Sequence, residues 1–86
     1  MNHTTVITTK NIVNGEKDIL LVSHDEDDGM WEFLEGDVVK EEEAMIISLY
    51  EMVNIDPTVN QIADLPLGWI AYRDSKLDAW TKRKNE

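Results

Sequence analysis

The stretch from Ile19 to Leu34 constrains this chain more than any other. It sets four consecutive acids, Asp25 to Asp28, and Gly29 between the apolar runs Ile19-Leu20-Leu21-Val22 and Met30-Trp31-Glu32-Phe33-Leu34. Buried flanks around a solvated, glycine-closed turn are the signature of a β-hairpin. The unbroken run Ile19 to Val22 implies a central strand with both faces covered. In the second flank the period of two puts Trp31 and Phe33 on one face, with Met30, Glu32 and Leu34 on the other.

The rest of the chain must fold around that hairpin as one domain, 1–86, because 86 residues have too little interior for two cores. In so thin a core, Trp31, Trp69 and Trp80 are expected to carry a large share of the apolar burial, each worth about 3–5 kcal/mol against alanine. No cysteine is present, so packing rather than disulfides or thiolate–metal bonds must supply the stability. The amino terminus has no basic region followed by an apolar run, and no segment reaches the length of a membrane span. The expectation is a cytoplasmic protein without a membrane partner.

Upstream, Thr5 to Val13 reads as a strand with a bulge where the alternation slips. Asn14-Gly15 then predicts a tight hairpin turn near Asn14 to Lys17 before a second strand, Asp18 to His24. Strand three follows at about 30–35, ended by Gly36-Asp37. Lys40 to Val53 admits two readings. It is one long helix with acids in its first turn, or an extended Met45-Ile46-Ile47 and then a helix from Leu49 to about Asn54, started by the capping box Ser48-x-x-Glu51. The second reading is favoured, because a cap starts a helix and does not belong inside one. Asp56-Pro57 starts another short helix, to about Ile62 or Ala63. Gly68 to Arg73 reads as a last strand, and the basic tail 81–86 as a frayed end. The predicted fold is α+β: an antiparallel three-strand meander (about 5–13, 18–24 and 30–35) plus a closing strand near 69–73, packed by two short helices. Leu49, Val53, Ile62 and Leu65 are expected to pack on Trp31 and Phe33.

Charge narrows the function. The net charge is −10, and residues 16–64 hold fifteen of the eighteen acids against only Lys17 and Lys40. Such a surface repels nucleic acid and anionic membrane and speeds association with a basic partner. Excess acid also keeps a small protein soluble, and composition alone does not separate the two roles. The candidate binding surface is one acidic face formed by Asp25, Glu26, Asp27, Asp28, Glu41, Glu42 and Glu43.

Chemistry beyond binding finds little support. In an EF-hand frame the turn reads His24-x-Glu26-x-Asp28-Gly29-x5-Glu35, with His at the first position where Asp is needed and strands where helices flank such loops. No defined metal site, and no other cofactor, is expected. His3 and His24 lack the spacing partners of a zinc site. His24 beside Asp25 is the one candidate general base, without a nucleophile elbow or phosphate loop to serve. Glu32 and Glu35 point to opposite faces of a strand, and Arg73 with Asp74 reads as an ordinary strand-end ion pair. The chain is not expected to be an enzyme.

Two segments carry a family resemblance: Trp31-Glu32-Phe33-Leu34-Glu35-Gly36-Asp37, and Ile55-Asp56-Pro57-Thr58 continuing to Ala63-Asp64-Leu65-Pro66-Leu67-Gly68 ahead of a strand containing Arg73. In this order and spacing they resemble the bacterial immunity-protein family numbered thirty-three, small domains assigned to polymorphic toxin systems. The resemblance spans about residues 10 to 74. Trp69 stands where the family has a small residue, and Gly29-Met30 precede Trp31 where Ser-Gly is usual, as in a distant member. It implies an inhibitor-type binding protein and brings no catalytic residues; the acidic segment 16–64 is compatible with masking a basic toxin. The competing class is a housekeeping or regulatory small domain with an endogenous ligand. The sequence leaves the oligomeric state open.

Overall fold

The acidic turn closes a hairpin, and the sheet grows outward from it on both sides. A computed structural model describes residues 4–36 and 40–85; His3 and the expected strand end at Asp37 lie outside them. Its strands are β1 (Thr5–Thr9), β2 (Leu21–His24), β3 (Trp31–Leu34), β4 (Ala44–Ser48), β5 (Trp69–Tyr72) and β6 (Thr81–Lys84). They form one mixed sheet in the order β4-β1-β3-β2-β5-β6. Two α-helices, α1 (Lys10–Val13) and α2 (Leu49–Ile55), are joined by 3₁₀ segments at Glu41–Glu43 and Pro57–Ile62.

The first third of the chain departs from the meander. The strand expected over 5–13 stops at Thr9, whose hydroxyl accepts from the Ile12 amide at 3.3 Å and caps α1. The slipped alternation at Ile12 and Val13 is therefore helical, not a bulge. Asn14-Gly15 ends that helix instead of turning a hairpin. Gly15, at φ 80°, donates to the Ile12 carbonyl, and the Glu16 amide donates to that of Asn11 at 2.8 Å, the paired bonds of a Schellman cap. The helical detour carries the chain away from β1, so β2 does not pair with it. β1 lies instead parallel to β3, with Ile7 beside Glu32, and antiparallel to β4, with Val6 beside Ile47. The meander of three antiparallel strands is thus a mixed sheet with one parallel pair.

The second half follows its local signals. Ser48 accepts from the Glu51 amide at 3.0 Å and starts α2, with β4 before it, so 41–54 is not one helix. Asp56 caps the 3₁₀ helix through the Thr58 amide at 3.0 Å, with Pro57 at its first position. The tail expected to fray is β6, zipped to β5 from Tyr72–Thr81 to Trp69–Lys84. Lys82 anchors it to Asp64 at 3.0 Å and Arg83 lies over the Tyr72 ring.

Both helices and the longer 3₁₀ segment cover one face of the sheet. Ile47, Val6, Phe33, Val22 and Ala71 point from the strands into it and meet Ile12, Met52, Val59, Ile62 and Leu65, all buried. As expected, Leu49, Val53, Ile62 and Leu65 belong to this core, beside Phe33 and the partly buried Trp31. The tryptophans are at its rim: all three stay partly exposed, and the fully buried bulk is Phe33 with aliphatic side chains and Met52. Truncating Phe33 to alanine should cost about 3–5 kcal/mol. No described helix packs on the opposite face, where Ile46, Ile7, Glu32, Ser23, Ile70 and Arg83 form a row across all six strands. β2 is central, as its apolar run predicts, yet Leu20 and Leu21 are only half-buried because no described helix lies over that second face.

Candidate functional site

The seven acids of the expected face divide between two ends of the sheet. Asp25 to Asp28 precede the first residue of β3. Glu41 to Glu43 precede β4, whose first residue, Ala44, pairs with Thr9 at the last residue of β1. Because β1 and β3 are parallel, the two groups sit at opposite strand ends, roughly 15 Å apart along the strand direction alone. The single continuous face read from the sequence is therefore two clusters. One parallel pairing, invisible to local pattern, separates them.

At the hairpin end, Gly29 (φ 73°) lets its amide return to the Asp25 carbonyl at 2.9 Å, and the Asp25 amide reaches the Met30 carbonyl at 2.8 Å. Asp28 accepts from the Met30 amide at 2.9 Å, which fixes the loop's exit. Glu26, Asp27 and Asp28 are exposed, and Asp25 is half-buried, accepting from the Ser23 hydroxyl at 2.5 Å. With His24, Gly68 and Asn85 these residues line an open polar hollow of about 330 Å³. Glu26 lies against Gly68, at φ 81°, where an added Cβ would stand 3.1 Å from the Glu26 Oε2. A side chain there would push the Glu26 carboxylate aside by a few tenths of an ångström, and its larger cost would be the positive φ, which only glycine adopts freely.

Glu32 belongs to this cluster although its sequence spacing gave it no carboxylate partner. It sits opposite Ser23 on β2, and Asp25 is the next residue on the same face, a diagonal cross-strand neighbour. Its carboxyl is pushed up from 4.5 to about 7, first by the hydrogen bond it shares with Asp25, then by burial and the negative charge of Asp25 and Asp28. With its value near 7, Glu32 is about half protonated at neutral pH, and the proton it holds relieves the repulsion between the two carboxyls. Once the hairpin register is fixed by its turn, the Asp25–Glu32 diagonal follows from the sequence; the Glu32–Glu35 spacing does not reveal it.

His24 is a packing residue. Its Nδ1 lies 2.7 Å from the Leu65 carbonyl oxygen, to which it must donate, and its ring stacks on Trp31 at 4.0 Å. Asp25 bonds Ser23 and not the imidazole, so among the described residues no carboxylate is hydrogen-bonded to His24. Among the described residues no three His, Asp or Glu side chains converge to hold a metal ion.

The other cluster is better compensated. Glu43 accepts from Asn11, and nearby Glu35 accepts from the Thr9 hydroxyl. Glu41 and Glu42 are exposed at the head of β4.

Arg73 does not pair with Asp74, as its position suggested. It is 6% exposed and its guanidinium binds Asp56 Oδ2 at 2.7 Å, the Thr58 hydroxyl at 3.0 Å and the Ile19 and Lys76 carbonyls. Trp80 covers its face at 4.0 Å, with an indole N–H that has no partner among the described residues. Burial pushes the Asp56 carboxyl up, but hydrogen bonds from Thr58 and Arg73 and the guanidinium charge outweigh it and hold it below the usual carboxylate value. Four of the five guanidinium N–H groups are spent inside the fold, so the clasp ties the last core strand to the segment that Asp56 caps.

An apolar cleft of about 200 Å³ opens between sheet and helices, lined by Trp31, Phe33, Leu49, Val53 and Val59 with Thr4 and Asn60 at its polar margin. Among the described residues no helix is long and apolar enough to cross a membrane. No family model, curated protein or solved structure matches this chain, so the family resemblance rests on the motifs quoted above.

Proposed function

We propose that this chain is a non-catalytic binding protein of the cytoplasm that docks a basic protein through its acidic hairpin end, and that it serves as an immunity protein masking a toxin. The observation that carries the reading is the turn Asp25 to Asp28: three exposed acids and a half-buried one, with no Lys or Arg bonded to any of them among the described residues. Uncompensated negative charge of this density accelerates encounter with a basic surface and repels nucleic acid and anionic lipid. Glu41 and Glu42 extend the field from the other end of the sheet.

Affinity capture followed by kinetics on the captured partner tests the reading. The association rate should fall steeply between about 0.05 and 0.5 M salt, as the Debye length shrinks from about 14 to about 4 Å. Reversing Asp25, Asp27 and Asp28 should slow association far more than it changes dissociation. Salt-independent binding removes the electrostatic part of the proposal, and turnover of a small molecule removes all of it. A second reading, a regulatory domain with an endogenous ligand, is favoured by the cleft beside Trp31, whose apolar walls suit a small hydrophobic molecule. Quenching of Trp31 fluorescence by such a ligand at stoichiometric concentration would favour it over the first.

A further inference from the structure

The two edges of the sheet are finished differently. β6 carries Lys82, Arg83 and Lys84 in sequence, the charged dressing that keeps an edge strand from recruiting another chain. β4, at the other edge, reads Ala-Met-Ile-Ile-Ser, with neither charge nor proline, and Ile46 is 67% exposed. Tyr50, 72% exposed, stands just beyond it on the first turn of α2.

The backbone groups left open on β4 follow from its register. Leu49 donates to the Thr4 carbonyl at 2.8 Å, and antiparallel pairs alternate between bonded and non-bonded, so Leu49, Ile47 and Met45 face β1. Ala44, Ile46 and Ser48 turn their amides and carbonyls outward. The Ala44 amide is taken by the Glu41 carbonyl, and the Ser48 carbonyl receives the first turn of α2. Four groups stay without a partner among the described residues: the Ala44 carbonyl, both groups of Ile46, and the Ser48 amide. They are the row that an incoming strand would bond.

Charge selects the occupant. Glu41, Glu42 and Glu43 stand at one end of β4, and Glu51 follows its other end. A second copy paired antiparallel about Ile46 would set Glu41 against Glu51 at both ends, between two chains of −10 each. An extended segment with lysine or arginine on either side of a β-rich middle meets attraction at both ends.

We infer that β4 accepts such a segment of a basic partner as a seventh strand, bonded through Ala44, Ile46 and Ser48. Main-chain bonds supply the affinity and the flanking glutamates the selectivity. The inference rests on the basic-partner reading and adds to the hairpin end a second point of contact, on the β4 edge.

The test uses the full chain and the peptide Lys-Lys-Thr-Val-Thr-Val-Thr-Lys-Lys at about 0.05 M salt, beside the same peptide N-methylated at alternate residues, which keeps charge and side chains but loses strand bonding. Amide exchange followed by NMR should show the Ile46 and Ser48 amides slowed about tenfold or more by the first peptide. The methylated peptide should bind about tenfold more weakly, as the loss of two ordinary hydrogen bonds implies. Ile46→Pro, which deletes one outward amide and spares the β1 ladder, should bind the unmethylated peptide about threefold more weakly, the share of one of those two bonds; Ile46→Thr should bind normally. Equal, salt-sensitive binding of both peptides with shifts confined to Asp25–Asp28 overturns strand addition and leaves the basic-partner reading in place. Absence of binding by either peptide overturns strand addition and counts against that reading too. Concentration-dependent protection of Ile46 without peptide overturns it in favour of a second copy on the edge.

Discussion

Asp56, capping the 3₁₀ segment after α2, and Glu32, on β3, are both carboxyls drawn out of full solvent, and the fold treats them in opposite ways. Asp56, 3% exposed, is given a guanidinium and two bonds from Thr58, and its acidity is strengthened. Glu32, half-buried, is given another carboxyl, and its acidity is weakened. The clasp shows that this chain compensates a charge where the architecture depends on it. At the hairpin end the charge is left standing against stability, as expected of residues kept for contact with something else.

The sharpest way to break the contrast is to remove the cation. Arg73→Ala should cost about 3–5 kcal/mol in urea unfolding, because Asp56 is then buried and unpaired. Replacing the pair together, Arg73→Met with Asp56→Asn, should recover much of that loss. If the double variant is no more stable than Arg73→Ala, the clasp works by packing against Trp80 and not by compensating charge.

A smaller effect with the opposite sign belongs to Glu32. Its folded value lies above the unfolded one, so its contribution is fully present below about 4.5 and is lost as pH rises through about 7. Glu32→Gln should therefore melt higher than the wild type at pH 8, match it near pH 4, and have a flatter stability profile between. Parallel profiles for the two proteins would mean that Asp25 and Glu32 do not share a proton. Asp56 runs the other way: with its value lowered, its contribution is present above about 3.8 and is lost as pH falls through the folded value. The smallest change is expected from Asp27→Lys, which should move stability by no more than about 0.5 kcal/mol while slowing association with a basic partner.

What the sequence disclosed was local. Ser48-x-x-Glu51, Asp56-Pro57 and the acidic turn each carry their bonding partners within a few residues, and each forms as read. What it concealed was set at a distance. Lys10 to Val13 looked like more strand because the β propensity of Ile12 and Val13 does not show that Thr9, the last residue of β1, caps the Ile12 amide, and Asn14-Gly15 serves a helix end as readily as a hairpin. Lys82 to Lys84 looked like a frayed tail because an edge strand needs no apolar alternation, only a neighbour such as β5. Arg73 was misassigned to Asp74 since adjacency is legible and the approach of Asp56, seventeen residues earlier, is not. The acids of the candidate site were all visible; their division between two ends, and the membership of Glu32, depend on strand order and register.

The parallel seam between β1 and β3 also orders events as the chain is made. Among the described residues β2 and β3 are the paired strands joined by the shortest connection, six residues against eight between β5 and β6, and they are made first, so theirs is the earliest pairing open to the chain. β1 must wait for β3, and then for β4 to cover its far side, while β2 waits for β5 some forty-five residues downstream. At translation rates of roughly 5–20 residues per second, the young hairpin stands with an unfilled edge for a few seconds. Neighbouring nascent chains on one message would then hold matching sticky hairpins within reach of each other. Each is tipped by Asp25 to Asp28, and like charge at every tip keeps siblings apart until their own strands arrive.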